Sequence, residues 1–407
     1  MSRFARPRDS GQEQRATTLE LFYDLVFVFA ITQVSHLLLE DLSWRGAGRA
    51  LLVLLVVWWA WNYTTWVTNE LDPESTVVRL VLIAVMLASL LMAVAIPDAF
   101  GGRALLFAGS YVGIQVGRHA FLTWGASSAR TIERERAARI LTWFAVAGVL
   151  WIAGAIADGP ARTILWLCAL GVDYAAPLAL FRVPGRPALR HTTWEVETAH
   201  FAERFQLFMI IALGETIVIT GATTAERDID TATVTAFAFA FLATAAMWWL
   251  YFNYVAAIAQ RRLELAPDRT RLARDGYTYL HVLMVAGIIL AAVGDELVIA
   301  HPTEHLPARE AAAAVGGPAL YLVAHALFRL RMARSISWKR LGAALGCIAV
   351  GLLAGVVPAL VVAALVLVVL VALILAEHAA AHRRRLRGEP SPLDRLEPSA
   401  EATRLGA

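Results

Sequence analysis

Charged residues are scarce in this chain of 407 residues. Asp, Glu, Lys and Arg together make up 17% of it, against about 25% in ordinary soluble domains. Apolar residues make up 58%, and the mean hydropathy is +0.60. A soluble protein of this size needs a polar shell, and charges bunched between long apolar runs do not supply one. The composition therefore excludes a soluble globular protein and a disordered chain, and it indicates a multi-pass membrane protein.

Cysteine and lysine are nearly absent. Both cysteines, Cys168 and Cys347, lie inside apolar runs, so neither a disulfide framework nor a cysteine metal site is indicated. Of the 36 basic residues only Lys339 is a lysine, and the net charge of +3 gives no footprint for a nucleic-acid partner. We expect no metal and no cofactor, and the expected surroundings are the lipid bilayer.

Twelve apolar runs are long enough to cross a membrane, since a transmembrane helix needs about 20 mainly apolar residues. The predicted spans are residues 19–39, 47–69, 76–96, 103–124, 139–157, 161–181, 199–221, 231–255, 276–297, 312–330, 340–356 and 359–378. The last two form one long run, which the stretch from Gly355 to Pro358 divides into two helices. The predicted fold class is an all-α, polytopic integral membrane helix bundle.

The basic residues predict the orientation, because cytoplasmic loops carry an excess of Lys and Arg. With the N-terminus inside the cell, 28 of the 36 lie in or beside inner segments and 6 in or beside outer loops. This alternation predicts a plasma-membrane protein with both termini in the cytoplasm. Residues 1–18 are then a basic cytoplasmic leader, and residues 382–407 form a basic, then disordered, cytoplasmic tail.

Two motifs recur along the chain. LELFYDLVFVFAITQ in span 1 matches HFAERFQLFMIIALGETI in span 7, with Glu20 opposite Glu203, and WWAWNY in span 2 matches WWLYFNY in span 8. Two matches in the same order, six spans apart, predict two parallel six-helix repeats. The repeats cover residues 19–181 and 199–381, and residues 182–198 form a cytoplasmic linker between them.

Ionisable side chains inside the spans are the predicted pathway for a substrate or ion, because such groups are costly in lipid and usually face a bundle interior or a wet cavity. The predicted set is Glu20, Asp24, Arg118, Asp173, His200, Glu203, Arg204 and Glu215. Glu20 and Asp24 are four residues apart and share a helix face. Glu215 lies about 18 Å beyond Glu203 along span 7.

Charge balance predicts that the two arginines of this set, Arg118 and Arg204, take acidic partners. Four residues are available for them: Glu20, Asp24, Asp173 and Glu203. An ion-pair network that only holds the two repeats together is the alternative interpretation of these charges. A further interpretation for Glu20 and His200 is that they lie near the cytoplasmic interface, where charges are tolerated.

These motifs resemble the bacterial low temperature requirement A family. The likeness rests on ELFYDLVFVFAITQ followed by Ser35 and His36, on HFAERFQLFMIIALGE, and on ARDGYTYLHVLMVAGI in span 9, and it covers residues 15–375. The resemblance implies a multispanning membrane protein linked to growth in the cold, and it implies no particular biochemical activity.

A second, weaker likeness is to a two-repeat, twelve-helix potassium channel family with an Arg…Phe-Ser-Asp motif in its first helix. Here Tyr23 replaces the serine, and the second repeat has Phe205-Gln206-Leu207 without an aspartate. Because the motif is broken in the second repeat, a channel filter of that kind is in doubt.

We predict a transporter of a small solute or ion with its site between the two repeats. The alternatives are a cation channel, a scaffold, and a membrane enzyme acting on a lipid-linked substrate with His200, Glu203 and His119 as acid–base groups. The sequence favours a non-enzymatic function and assigns no catalytic residues, since it has no Ser/His/Asp set and no phosphate-binding glycine loop. A homo-oligomer is compatible with it.

Overall fold

The computed structural model describes residues 15–126, 131–189, 194, 196–253, 255–391 and 393–396. These residues form fourteen α-helices and no β-strand, so the predicted all-α class is confirmed. They divide into two compact units, residues 15–37 with 45–201 and residues 38–44 with 202–396.

The first unit is built from six helices and the first turn of a seventh. The helices are α1 (Thr18–Glu40), α2 (Trp44–Thr68), α3 (Thr76–Ala95), α4 (Ala104–Ala120), α5 (Thr131–Ile156), α6 (Gly159–Ala175) and α7 (Thr198–Ala225), of which α7 continues into the second unit. Helix α2 is the most enclosed of them, with Trp58, Trp59 and Trp61 buried in a row. Helices α3 to α6 pack in sequence order, each against the next.

The second unit contains the rest of α7 and seven further helices. They are α8 (Thr231–Phe252), α9 (Ala256–Glu264), α10 (Arg269–Leu272), α11 (Tyr279–Ala300), α12 (Ala308–Ala333), α13 (Trp338–Gly351) and α14 (Ala359–Leu386). Helix α11 packs along α12, α12 against α13, and α14 against both α8 and α13.

Nine helices of the described chain are long and apolar enough to cross a membrane. The predicted spans 103–124, 161–181 and 340–356 coincide with the shorter helices α4, α6 and α13, which have 17, 17 and 14 residues. At 1.5 Å per residue these helices are about 21–26 Å long, against about 30 Å for the hydrocarbon core. The count of twelve spans and the two repeats stay predictions.

Helix ends follow the local sequence. Pro358 stands directly before α14, where its missing N–H and fixed φ suit the start of a helix. The long apolar run at the C-terminal end is therefore two helices, as the Gly355–Pro358 stretch predicts. Asp230 caps α8, because its carboxylate accepts a hydrogen bond of 2.7 Å from the backbone N–H of Thr233.

Large apolar side chains cover the outside of the long helices. Leu80 and Leu87 on α3 are 61% and 59% exposed, and Val368 and Leu375 on α14 are 61% and 63% exposed. Extended apolar faces of this kind mark contact with a membrane or another protein. Several ionisable side chains of the spans, among them Asp24, Arg118 and Asp173, are buried instead.

Helices α11 and α12 approach each other closely through small residues. A Cβ added at Gly287 would lie 2.6 Å from the backbone nitrogen of Tyr321, and one added at Gly317 would overlap the backbone nitrogen of Ala291. Only glycine fits at these contacts, and close packing through small residues is how helices associate where lipid removes the hydrophobic driving force.

Candidate functional site

A histidine and a glutamate meet at the start of two helices of the first unit. Nε2 of His200, in the first turn of α7, lies 2.9 Å from Oε1 of Glu20, in the first turn of α1. The second oxygen of Glu20 accepts hydrogen bonds of 2.8 and 2.9 Å from the backbone N–H and the hydroxyl of Thr17. Both side chains are buried, His200 completely. Two residues that lie 180 positions apart in the sequence thus form one buried pair.

Asn69, just after α2, completes this group, which we call the histidine cluster (Glu20, Asn69 and His200). Its side-chain oxygen accepts a bond of 2.9 Å from the backbone N–H of Glu197, and its Nδ2 donates to the carbonyl of Glu197 at 3.1 Å. These two bonds fix the orientation of the amide, because its oxygen must face the N–H and its NH2 the carbonyl. The same NH2 lies 3.0 Å from Nδ1 of His200.

The fixed amide decides the tautomer of His200. Since Nδ2 of Asn69 is a donor, Nδ1 of the imidazole must accept. The ring proton is then on Nε2 and is donated to Glu20. The Asn69 amide therefore faces one ring nitrogen of His200 and the Glu20 carboxylate faces the other.

Asp24 lies one turn along α1 from Glu20 and is fully buried. Its Oδ1 accepts a hydrogen bond of 2.8 Å from the indole N–H of Trp61 on α2. The neighbouring Tyr23 donates its hydroxyl to the carbonyl of Ala60 at 3.3 Å. Two consecutive residues of α1 are therefore bonded to two consecutive residues of α2, which ties the two helices together at this depth.

Asp173 on α6 is held by two aromatic donors. The hydroxyl of Tyr111 on α4 and the indole N–H of Trp151 on α5 both donate to Oδ2, at 2.8 and 2.9 Å. Its other oxygen, Oδ1, accepts no hydrogen bond from any residue that the structure describes. The carboxyl group is buried. Three helices thus converge on one carboxyl oxygen and leave the second without a donor.

Arg118 on α4 has no acidic partner among the residues that the structure describes, including all four predicted ones, so the charge-balance prediction for it is wrong. No carboxylate of the described residues lies within 4.0 Å of its guanidinium. The guanidinium donates instead to the hydroxyl of Thr64 at 2.7 Å, to the carbonyl of Ala60 at 3.3 Å and to the side-chain oxygen of Gln115, and it lies 5.7 Å from the ring centre of Tyr63. These neutral oxygens and the ring of Tyr63 stabilise the buried guanidinium in place of the predicted ion pair.

The α4 residues of these contacts share one helix face. Tyr111, Gln115 and Arg118 are spaced by four and three residues. Tyr111, which donates to Asp173, and Arg118 are seven residues apart, about 10 Å along the helix axis. Together with Gln115 they form a buried polar row along one face of α4.

The remaining predicted residues lie farther along α7, in the second unit. Arg204 and Glu215 are fully buried, and Glu203 is half-buried. The neighbour of Glu215, Thr216, shares a hydrogen bond of 2.8 Å with Thr244 on α8. Glu215 is therefore enclosed at a position where a threonine pair links α7 to α8.

The second unit holds a buried ion pair that the sequence analysis missed. Nε and one terminal nitrogen of Arg340 on α13 donate to the two carboxylate oxygens of Glu377 on α14, at 2.9 and 3.0 Å. The other terminal nitrogen donates to Nδ1 of His325 at 2.6 Å. Arg340 is 1% exposed. Both charged residues stand at the ends of apolar runs, so the sequence presents them as flanking charges that set topology.

A histidine–tyrosine pair lies nearby in the same unit. The hydroxyl of Tyr251 is 2.9 Å from Nε2 of His281, whose Nδ1 lies 3.3 Å from the carbonyl of Gly276. The ring of Tyr251 also meets that of His325 edge-on at 5.7 Å. Among the residues the structure describes, no three histidine, cysteine or acidic side chains come together in a way that could bind a metal ion.

Long apolar helices around buried charged side chains define a multi-pass membrane protein. The family model described as bacterial low temperature requirement A protein matches residues 15–375, and the chain belongs to that family. It is 37% identical over 315 residues to an uncharacterized protein of Rhizobium meliloti (strain 1021), covering 77% of each chain. No solved structure gives a significant match.

Proposed function

We propose that this protein transports a small solute or ion, with the Glu20–His200 pair as a proton relay that drives the movement. The observation that carries the proposal is the 2.9 Å contact between the imidazole Nε2 of His200 and the carboxylate of Glu20, both buried. Ionisable groups in such surroundings are costly, and in pumps and transporters they mark proton relays and ion pathways. The proposal includes twelve spans in two parallel repeats, a plasma-membrane location and cytoplasmic termini.

The relay needs one rearrangement. A proton arriving at Nδ1 of His200 would allow the Nε2 proton to pass to a carboxylate oxygen of Glu20, and one proton would then have moved across the ring. The amide of Asn69 blocks the first step, because its NH2 points at Nδ1. Movement of Asn69 away from His200 therefore acts as a gate, and it couples proton transfer to a change at the α2–α7 contact.

Further buried groups supply the remaining pathway in this proposal. Asp24 and Asp173 are buried carboxyl groups that accept hydrogen bonds from indole and phenol donors. Because no cationic side chain of the described residues contacts Asp173 directly, it is suited to taking up a proton or a cation. Glu215, buried in the second unit, is the corresponding group on α7.

The experiment is a dequenching assay in inside-out vesicles that carry a pH-sensitive dye and a preformed proton gradient. Na⁺, K⁺, Ca²⁺ and small organic solutes are added in turn. Exchange against protons collapses the gradient for at least one of them. In Glu20→Gln and His200→Gln vesicles the collapse is expected to fall at least about tenfold, as when a positioned proton donor is lost. Asp24→Asn and Glu215→Gln test the rest of the pathway.

The matched control is His36→Gln, because His36 is a histidine on α1 with an exposed side chain. It should behave as wild type. Unchanged exchange in both Glu20→Gln and His200→Gln would contradict the relay. Unitary K⁺ currents from the purified protein in a planar bilayer, with no coupling to protons, would instead indicate the cation channel.

A further inference from the structure

A basic cavity opens at one end of the second unit. Its volume is about 760 Å³, and it lies among α9, the C-terminal end of α12, the start of α13 and the end of α14. The segments that form it are the ones the distribution of basic residues assigns to the cytoplasmic side. Its position at the ends of membrane helices places it at the depth of lipid headgroups.

The charge of the cavity is strongly positive. Seven basic side chains line it and one carboxylate, Glu377. That carboxylate is already bound by two nitrogens of Arg340, and Arg395 pairs with Glu389 at 3.4 Å. Five basic side chains of the cavity wall therefore remain without a salt bridge to a described acidic residue, which makes the cavity an electrostatic trap for an anion.

Two arginines present their outer nitrogens to the cavity. Nε of Arg262 on α9 donates to the carbonyl of Met332 at 3.1 Å, and Nε of Arg329 on α12 donates to the hydroxyl of Ser335 at 3.1 Å. Neither arginine uses its terminal nitrogens on any residue that the structure describes. A guanidinium anchored through Nε presents its terminal N–H groups in the geometry that binds phosphate oxygens.

The start of α13 adds a second kind of donor. Its first backbone bond runs from the N–H of Leu341 to the carbonyl of Ser337, so the preceding N–H groups of the turn have no partner inside the helix. Trp338, Lys339 and Arg340 of that turn line the cavity. The positive end of a helix stabilises an anion, and here it acts together with the arginines.

The apolar side chains at the wall and rim of the cavity favour a lipid over a soluble anion. Half-buried Ile258 lies beside the basic wall, with the buried Phe328 and Met332 behind it. At the rim Trp338 is 73% exposed and Ile336 48% exposed, and tryptophan is enriched at membrane interfaces. A free phosphate would leave the exposed Trp338 and Ile336 uncovered, whereas acyl chains would cover them. We propose that this cavity binds the phosphate group of an anionic glycerophospholipid of the cytoplasmic leaflet.

The experiment measures thermal unfolding of the purified full-length protein in detergent as lipid is added. Phosphatidylglycerol is expected to raise the melting temperature, because a ligand that binds only the folded state stabilises it. Phosphatidylcholine, which has no net charge, and inorganic phosphate, which has no acyl chains, should have little effect. Arg262→Gln with Arg329→Gln should weaken the apparent affinity for phosphatidylglycerol roughly thirtyfold.

Arg309→Gln is the matched control, since Arg309 is an exposed arginine at the other end of α12. It should keep the full response. The double variant is compared only if its melting temperature without lipid equals that of wild type; if it does not, Arg384→Gln, which changes a half-buried cavity arginine on α14, replaces it. If inorganic phosphate raises the melting temperature as much as phosphatidylglycerol does, the ligand is not a lipid. If phosphatidylglycerol raises the melting temperature of the variants as much as that of wild type, the cavity is not the binding site.

Discussion

Oδ2 of Asp173 receives the hydroxyl of Tyr111 at 2.8 Å while its Oδ1 receives nothing from the described residues. This asymmetry gives the two carboxyl oxygens different roles. One oxygen holds α4, α5 and α6 together, and the other is available to a proton or cation. Structural and functional roles of one side chain can therefore be separated by substitution.

Asp173→Asn should be nearly as stable as wild type, because an amide oxygen can still accept from Tyr111 and Trp151. Asp173→Leu leaves both donors buried without an acceptor, at about 1–3 kcal/mol for each. The measurement is the unfolding temperature in detergent, followed by circular dichroism. If Asn proves as damaging as Leu, the negative charge itself stabilises the fold and this assignment is wrong.

Asn69→Ala should destabilise the first unit by about 1–3 kcal/mol, since it leaves buried polar groups of Glu197 and His200 without their partner. Asn253→Ala is the matched control, because Asn253 is an exposed asparagine with no side-chain hydrogen bond among the described residues. Equal melting temperatures for the two variants would remove Asn69 from the cluster that orients His200.

Adjacent glycines of α12 should respond oppositely to the same added methyl group. Gly317→Ala forces a Cβ into the backbone of Ala291, and overpacking of this kind costs about 1–3 kcal/mol. At Gly316 the added Cβ would meet only a side-chain carbon of Leu290 at 3.4 Å. Gly316→Ala should therefore be neutral or stabilising, by up to about 1 kcal/mol from helix propensity. Thermal unfolding of both variants checks the contrast, which fails if they behave alike.

The cap at Asp230 should make stability depend on pH. The backbone N–H of Thr233 donates to its carboxylate and lowers the pKa of that group below its ordinary value. Because the pKa is lowered in the folded state, the cap contributes its full stabilisation at pH values above the ordinary pKa of about 3.9. This stabilisation is lost as the pH falls through the lowered pKa. The melting-temperature difference between wild type and Asp230→Ala should be constant from neutral pH down to about 5 and should narrow below about 4. A melting-temperature difference that grows in acid would contradict the cap.

The sequence predicted the helices well and the polar contacts poorly, for physical reasons. Hydropathy and the Gly355–Pro358 break are local signals, so they place helices such as α13 and α14 directly. The aromatic donors that reach Asp24 and Asp173 are 37, 62 and 22 residues away in the sequence. Charge balance looks for cations, whereas neutral N–H and O–H donors also stabilise a buried carboxylate.

Two other contacts were out of reach for a related reason. Glu20 and His200 each stand out in the sequence, but nothing in it places the starts of α1 and α7 within hydrogen-bond distance. Arg340 and Glu377 stand at the edges of apolar runs, where basic and acidic residues normally set topology. The spacing of Tyr111, Gln115 and Arg118 on one face of α4 is the one local signal that predicts part of the buried row.

The tryptophans of this protein are distributed unequally, and that gives it a built-in optical reporter. Trp58, Trp59, Trp61, Trp151 and Trp166 are fully enclosed in the first unit, whereas Trp248, Trp249 and Trp338 of the second are 43%, 45% and 73% exposed. Two of the enclosed indoles donate directly to Asp24 and Asp173. Protonation or cation binding at either carboxylate would change the field on a neighbouring indole, so the blue-shifted part of the fluorescence spectrum would follow those two acids without any added label.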